Sequence, residues 1–516
     1  DLAATIRFLA DDALEGRGPG SRADSLTRLY LATRMEALGL RPGGTGGGWE
    51  QPIELIGITT STPRQWRFAA GAKGVELERG AEFVAASPRV AQRASIENAE
   101  VVFVGYGIQA PEYEWDDIGG ADLRDKVLLM LNDDPDWDPD LFGGKRRLYY
   151  GRWTYKYEIA ARHGAVGAIV VHTDASAGYP WQTVQTSWGG ENSRLPGAGE
   201  GELEVRAWIT EEATRRLVAL AGRDWSDLVE AAKSRDFSPV PLGVTTSFEV
   251  RNTLRPYETA NVVGVLPGRD PALREQAVVY SAHHDHLGTA AAGDGGDAIY
   301  NGALDNATGV AQMLAIARAF SALPEAPRRS VLFAAVAAEE QGLLGSRYFA
   351  AHPPIPRARL AANLNLDGGS IWGRTRNIAG VGFGKSTLDD FVRAAAARQG
   401  RSYVDEQFPE QGSFYRSDQF NFAKIGVPAL MLRAGTDIVG QPPEWGREQV
   451  QAWIAKHYHQ PSDEFDPSWE FDGMIEDARL LFDVGLAVAE ADEMPRWVPG
   501  DEFEAVRLGG ETTERR

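Results

Sequence analysis

The chain contains no cysteine. That excludes disulfides, a thiolate nucleophile and any sulfur-bound metal site. Histidine is scarce, with eight among 516 residues. No apolar run reaches the roughly 18 residues that a membrane-spanning helix requires, so no membrane span is expected. Basic residues are in deficit: 53 Lys and Arg stand against 73 Asp and Glu, for a formal net charge of -20. A general nucleic-acid binder needs a basic face, so nucleic acid is not an expected partner. The sequence opens at Asp1 without Met and without a signal peptide. The expectation is a secreted or periplasmic bacterial protein whose leader has been removed.

What is present is enough for a large buried core: 43% hydrophobic residues with 24% charged. The length implies roughly two to four domains. Residues 1–40 carry two amphipathic helical patterns, and 50–90 reads as short strands. Near residue 95 the texture changes, with strands expected at 101–104, 126–131 and 166–172 and a helix at 155–163. This block has its own strand–helix–strand logic. From Asn261 onward, nearly continuous apolar strands at 277–282, 330–336, 361–366 and 427–432 alternate with helices at 308–320, 342–350, 385–399 and 474–493. That alternation predicts an α/β domain with a largely parallel sheet covered on both faces. The boundaries drawn are 1–94 and 246–516 for one split domain, with 95–245 inserted.

Five of the eight histidines fall in two short clusters, at 283–286 and 457–459. The polar residues that follow the predicted strands converge in type. His283 and Asp285 follow the first, Glu339 and Glu340 the second, and Asp367 the third. Asp305 lies in a Gly- and Asn-rich loop leading into a helix, and His459 in a late loop. Open parallel sheets carry their sites at the carboxyl ends of strands. In an extended segment residues i and i+2 share a face. His283 could therefore bind metal while Asp285 fixes its tautomer, or both could be a solvated strand end. Asp305 could bridge two metals or cap a helix. One of Glu339 and Glu340 could bind metal while the other moves a proton, or both could be solvated. As a set, two His, two Asp and a Glu with one further Glu describe a dinuclear hydrolase site with oxygen and nitrogen ligands. Zinc suits such ligands, with cobalt or manganese as alternatives.

These residues resemble a known pattern. The chain is similar to the M28 family of zinc metallopeptidases, in particular bacterial aminopeptidase-like members with an inserted protease-associated (PA) domain. The resemblance rests on residues 11–18, 282–288, 302–309, 338–345, 365–368 and 458–463 for the catalytic domain. For the PA-like insert it rests on 101–171, with Gly105, Tyr106 and Gly107. It implies a three-layer α/β/α zinc-peptidase domain with a mostly parallel central mixed sheet, plus a β-rich PA domain. It implies two zinc ions, one held by His283, Asp305 and Asp367, the other by Asp305, Glu340 and His459. Asp305 would be the bridge, followed by a strained or cis link to Asn306. Glu339 would be the general base, Asp285 would orient His283, and Tyr458 would donate to the tetrahedral intermediate. Arg374, Arg376, Tyr415, Arg416 and Asp418 resemble segments lining the cleft, while position 419, often His in such proteins, is Gln419 here. The implied activity is removal of N-terminal residues from peptide substrates. The alternatives are a carboxypeptidase, dipeptidase or amidohydrolase of the same fold, or a non-catalytic peptidase-like binding protein. A calcium ion at Asp294 and Asp297 is a separate expectation from the Gly-rich loop.

Overall fold

The computed structural model describes residues 1–139, 141–197, 203–290 and 296–514. Two compact units emerge. One comprises Asp1–Glu54, Tyr257–Gln407 and Arg416–Arg516; the other comprises Leu55–Pro256 and Phe408–Tyr415.

The first unit is built on a mixed sheet whose centre is parallel. Ala277–His283 lies between Ser330–Val336 and Leu360–Asn365, parallel to both, and Leu360–Asn365 runs parallel to Ala429–Ala434 on its far side. Antiparallel partners close the two flanks: residues 262–266 pair with Ser330–Val336, and Asn377–Val381 pairs with Ala429–Ala434. The central strands are buried along their whole length, as expected for strands covered on both faces.

Strand periodicity divides their side chains between two layers. Val278, Tyr280, Ala282, Val331, Phe333 and Ala335 enter one hydrophobic cluster with helices Thr308–Ser321 and Asp472–Glu490. Val279 and Leu332, at the intervening positions, are equally buried but lie outside that cluster. Helix Leu2–Leu9 packs on Thr308–Ser321, and Leu388–Arg398 packs on Asp472–Glu490. Helices Leu344–Ala351 and Gln419–Lys424 pack on each other, and the latter on Ala429–Ala434; Phe349 and Phe422 meet between them at 5.3 Å. A mixed, centrally parallel sheet flanked by helices is the expected α/β architecture.

The second unit is β-rich, with a parallel core of its own. Val127–Leu131 pairs in parallel with Arg93–Phe103 and with Gly167–His172, which pairs in parallel with Val205–Thr210. Its core holds Trp66, Phe68, Phe83, Phe103 and Trp208. Among the described residues no helix is long and apolar enough to cross a membrane.

Candidate metal centre

Strand register brings the first unit's polar residues to one level. His283 is opposite Val336, and Ser281 is opposite Asn365. His283, the Glu339–Glu340 pair and Asp367 therefore leave three adjacent parallel strands at the same sheet edge. Below them a buried polar layer locks the strands together. Ser281 donates to Asn365 at 2.6 Å, and Asn363 donates to Ser281 at 2.9 Å. Asn365 donates in turn to Gln419 at 2.9 Å, so Gln419 is engaged with a strand residue beneath the edge.

Asp305 is presented differently. The loop before helix Thr308–Ser321 turns through Gly302, at φ 58°, and the Asp305–Asn306 peptide bond is cis. A Cβ at Gly302 would stand 2.4 Å from the Asp305 carbonyl oxygen and 2.5 Å from His286 Cγ. Only glycine combines that backbone with that closeness. Asn306 ties the loop to the neighbouring strand exit: its amide donates to the Leu366 carbonyl, and its oxygen accepts from the Gly309 and Gly368 amides, each at 2.9 Å. Asp463 accepts from the amides of Leu304 and Asp305 at 2.9 and 3.1 Å.

The Asp305 carboxylate then faces two imidazoles. Oδ1 is 3.2 Å from His283 Nε2, and Oδ2 is 3.3 Å from His459 Nε2. Asp367 lies 3.6 Å from His283 Nε2, and Glu340 lies 3.0 Å from His459 Nε2. Among the described residues, three groups could each hold an ion, with potential ligand atoms within 4.8 Å of one another: His283, Asp305 and Asp367; His283, Glu339 and Glu340; and His286, Asp305 and Glu340.

The electrostatics are those of a site made for cations. Burial opposes charge on His283, but Glu339, Asp305 and Asp367 carry its imidazole well above the usual range. His459 is raised likewise against burial, chiefly by Glu340. Burial also opposes ionisation of Asp305 and Glu340. The imidazoles nevertheless hold Asp305 well below its ordinary value and Glu340 at about 2. Glu339 behaves oppositely: burial, reinforced by Glu340, Asp418 and Asp367, drives it well above the carboxylate range. Glu340 Oε1 is buried with no aligned hydrogen-bond partner. Carboxylates that need positive partners, an orphaned carboxylate oxygen and an all-nitrogen-and-oxygen donor set fit metal ions of the zinc type.

The remaining candidates are placed as follows. The carbonyl oxygen of Asp285 lies 3.2 Å from His283 Nδ1, whereas its carboxylate is 3.8 Å away. That carboxylate accepts instead from the amides of Glu339 and Glu340, at 3.1 and 3.4 Å. Asp285 thereby fixes both the imidazole and the turn that presents the two glutamates. His284 points away, 3.3 Å from Asp24. The Tyr458 ring lies 3.9 Å from that of His459, and its hydroxyl accepts from Arg416 at 3.3 Å. Asp418 is fully buried, and burial pushes it up to about 7. Arg374 pairs with Glu476, and Arg376 with Asp437, all four away from the ligand cluster in their contacts. Tyr415 belongs to the second unit, where it packs 5.9 Å from Tyr149. Asp294 lies outside the described residues, and Asp297 turns its carboxylate to the amide of Ile299 at 3.0 Å. Nothing in that contact supports calcium.

Sequence reasoning missed Arg17, His286 and Asp463 as site-building residues. Arg17 is fully buried and donates to the carbonyls of His284 at 2.9 Å, Asn301 at 2.6 Å and Gly302 at 2.9 Å, and also to that of Leu9. It stitches the segment after the first helix to both ligand-bearing loops. Its place in the 11–18 motif was the available signal.

Comparison with known proteins agrees with this geometry. Residues 261–482 match the model of Peptidase family M28. A "Probable zinc metalloprotease" of Pyrenophora teres f. teres (strain 0-1) is 30% identical over 167 residues, covering 32% of this chain and 31% of that protein. A "Vacuolar membrane protease" of Clavispora lusitaniae (strain ATCC 42720) is 32% identical over 176 residues, covering 34% of this chain and 15% of that protein. The chain thus spans a third or less of the length of these curated relatives. Among solved structures, "Aminopeptidase from Aneurinibacillus sp. strain AM-1" superposes with a TM-score of 0.54 at 19% identity. The match covers 96% of this chain and 94% of that one, and it shows a shared fold. Residues 261–482, the stretch that matches the model of Peptidase family M28, thus carry all of the candidate metal-ligating groups named above.

Proposed function

We propose that the protein is a two-zinc aminopeptidase that hydrolyses the N-terminal peptide bond of peptides. The observation that carries this reading is the Asp305 carboxylate, whose two oxygens face two different imidazoles at 3.2 and 3.3 Å. One carboxylate offering an oxygen to each of two ligand sets is what a bridged metal pair requires. His283, Asp305 and Asp367 would hold one ion, and Asp305, Glu340 and His459 the other. When bound, such ions polarise the scissile carbonyl and acidify water.

The chain's own groups supply the rest. Glu339, the glutamate driven above the carboxylate range, takes a proton from the attacking water and returns it to the leaving amine. Asp285 keeps Glu339 in place through its main-chain amide. Tyr458, beside His459 and approached by Arg416, donates to the oxyanion as the carbonyl carbon becomes tetrahedral. The substrate's ammonium group is drawn to the carboxylates around the site. Cleavage at a C-terminus would need a guanidinium for the substrate carboxylate. Arg374 and Arg376 are paired with Glu476 and Asp437, whereas Arg416 stands against Tyr458, so the substrate comparison below decides between the two ends. The second unit spans Leu55–Pro256 and Phe408–Tyr415, wider than the 95–245 expected for a PA-like insert; its proposed part is to help choose substrates without taking part in the chemistry.

A matched pair of chromogenic aminoacyl amides, one with a free α-amine and one N-acetylated, tests the proposal. The free amine is expected to be hydrolysed and the acetylated form spared. Equal turnover of both would defeat it.

A further inference from the structure

The function proposed above uses His283 and leaves the third histidine of the cluster without a role. His286 is fully buried. Its Nδ1 lies 2.7 Å from Glu340 Oε1, while Glu340 Oε2 lies 3.0 Å from His459 Nε2. Glu340 is thus flanked by an imidazole at each oxygen, and the two rings stand at 75° with centroids 5.8 Å apart. Neither ring nitrogen of His286 has an aligned hydrogen-bond partner, and neither does Glu340 Oε1. His286 Nδ1 and Glu340 Oε1 thus face each other at 2.7 Å, with Asp305 also near: the three offer ligand atoms within 4.8 Å of one another. On the other side the ring rests against Gly302, where a Cβ would come within 2.5 Å of His286 Cγ. The loop that presents Asp305 has no side chain at the point where His286 needs the room.

We propose that His286 is a positioning residue that holds Oε1 of Glu340, so that Oε2 alone is offered to the metal shared with Asp305 and His459. This rests on the two-zinc reading. A ligating carboxylate whose second oxygen is unrestrained can rotate or bind through both oxygens; an imidazole N–H against that oxygen removes both freedoms. Loss of such a supporting partner typically weakens metal affinity by about 10–100-fold. In the two-zinc reading Glu340 serves one ion only, so the loss should fall on that ion and spare the other.

The test is zinc binding by equilibrium dialysis of the metal-stripped full chain, comparing the unchanged protein with His286→Phe and His286→Asn. The unchanged protein is expected to bind two zinc ions. His286→Phe should keep one at the original affinity and bind the second about 10–100-fold more weakly. His286→Asn, whose amide can donate to Oε1, should restore most of that loss. Unchanged affinities, or an equal fall at both sites in both variants, would overturn the proposal. So would a second zinc lost equally in Phe and Asn variants, which would make His286 a ligand. Fewer than two zinc ions on the unchanged protein would overturn the two-zinc reading itself.

Discussion

The carboxylate of Asp463 accepts the main-chain N–H of Asp305 at 3.1 Å. The residue whose side chain faces two histidines is thus held from behind by a second, fully buried acid. Its other oxygen takes the N–H of Leu304 at 2.9 Å, and burial raises this carboxyl to about 6. Asp463→Asn would set an amide nitrogen against one of two N–H donors. Metal affinity should fall by about 10–100-fold, as when other supporting partners of ligands are lost, with the fold retained. Zinc content after dialysis, measured beside near-ultraviolet circular dichroism, checks this.

Glu339→Gln should leave the zinc content unchanged and lower kcat by about 100- to 10,000-fold, the range ascribed to general acid–base groups. Paired metal analysis and steady-state kinetics decide it. A variant with near-normal kcat would move the proton-transfer role to another residue.

Arg17 satisfies carbonyls on three segments, at Leu9, His284 and Asn301–Gly302, from a fully buried position, and burial lowers its guanidinium to about 10. Arg17→Met would strand those carbonyls, and the cost should be about 3 kcal/mol of unfolding free energy. Arg17→Lys should recover less than half, because an ammonium cannot span them as a planar fork does. Urea denaturation of the three proteins gives the comparison.

In the second unit, burial lowers the pKa of His172 below 6.5, although the Tyr179 carbonyl and Asp174 partly offset it. Below pH 6.5 the unfolded chain takes up a proton that the folded imidazole refuses until lower pH. Stability contributed by this residue is therefore intact above 6.5 and declines as pH falls beneath it, by at most about 1.4 kcal/mol per pH unit. Urea midpoints measured from pH 7.5 to 5.5 should show that decline in the unchanged protein and a shallower one in His172→Gln. Equal slopes would contradict the assignment.

Much of the site was legible because its residues follow strands that announce themselves. Ala277–His283 and Ser330–Val336 are nearly continuous apolar runs, and polar residues at their carboxyl ends stand out against that background. The strands Asn377–Val381 and Ser402–Asp405 were not foreseen: they are short, and the latter is half-exposed. Helix Trp445–Lys456 was missed: only Gly446 is fully buried, and its short apolar set of Val450, Trp453 and Ile454 is interrupted by polar residues. His286 and Asp463 were hidden for another reason. The strand's two-residue alternation ends at His283, so it says nothing about where His286 turns, and its partner Glu340 is distant in sequence. Asp463 and Asp305 meet only once the chain is folded.

In the proposed reaction two zinc ions held around Asp305 act on the peptide bond next to a free amine. It is tested most directly by adding zinc stepwise to the metal-stripped protein while following hydrolysis of an aminoacyl amide. The stripped protein is expected to show no turnover, with full turnover at two zinc ions per chain and none against the N-acetylated amide. Turnover that survives stripping, or that acts equally on the acetylated substrate, would contradict it.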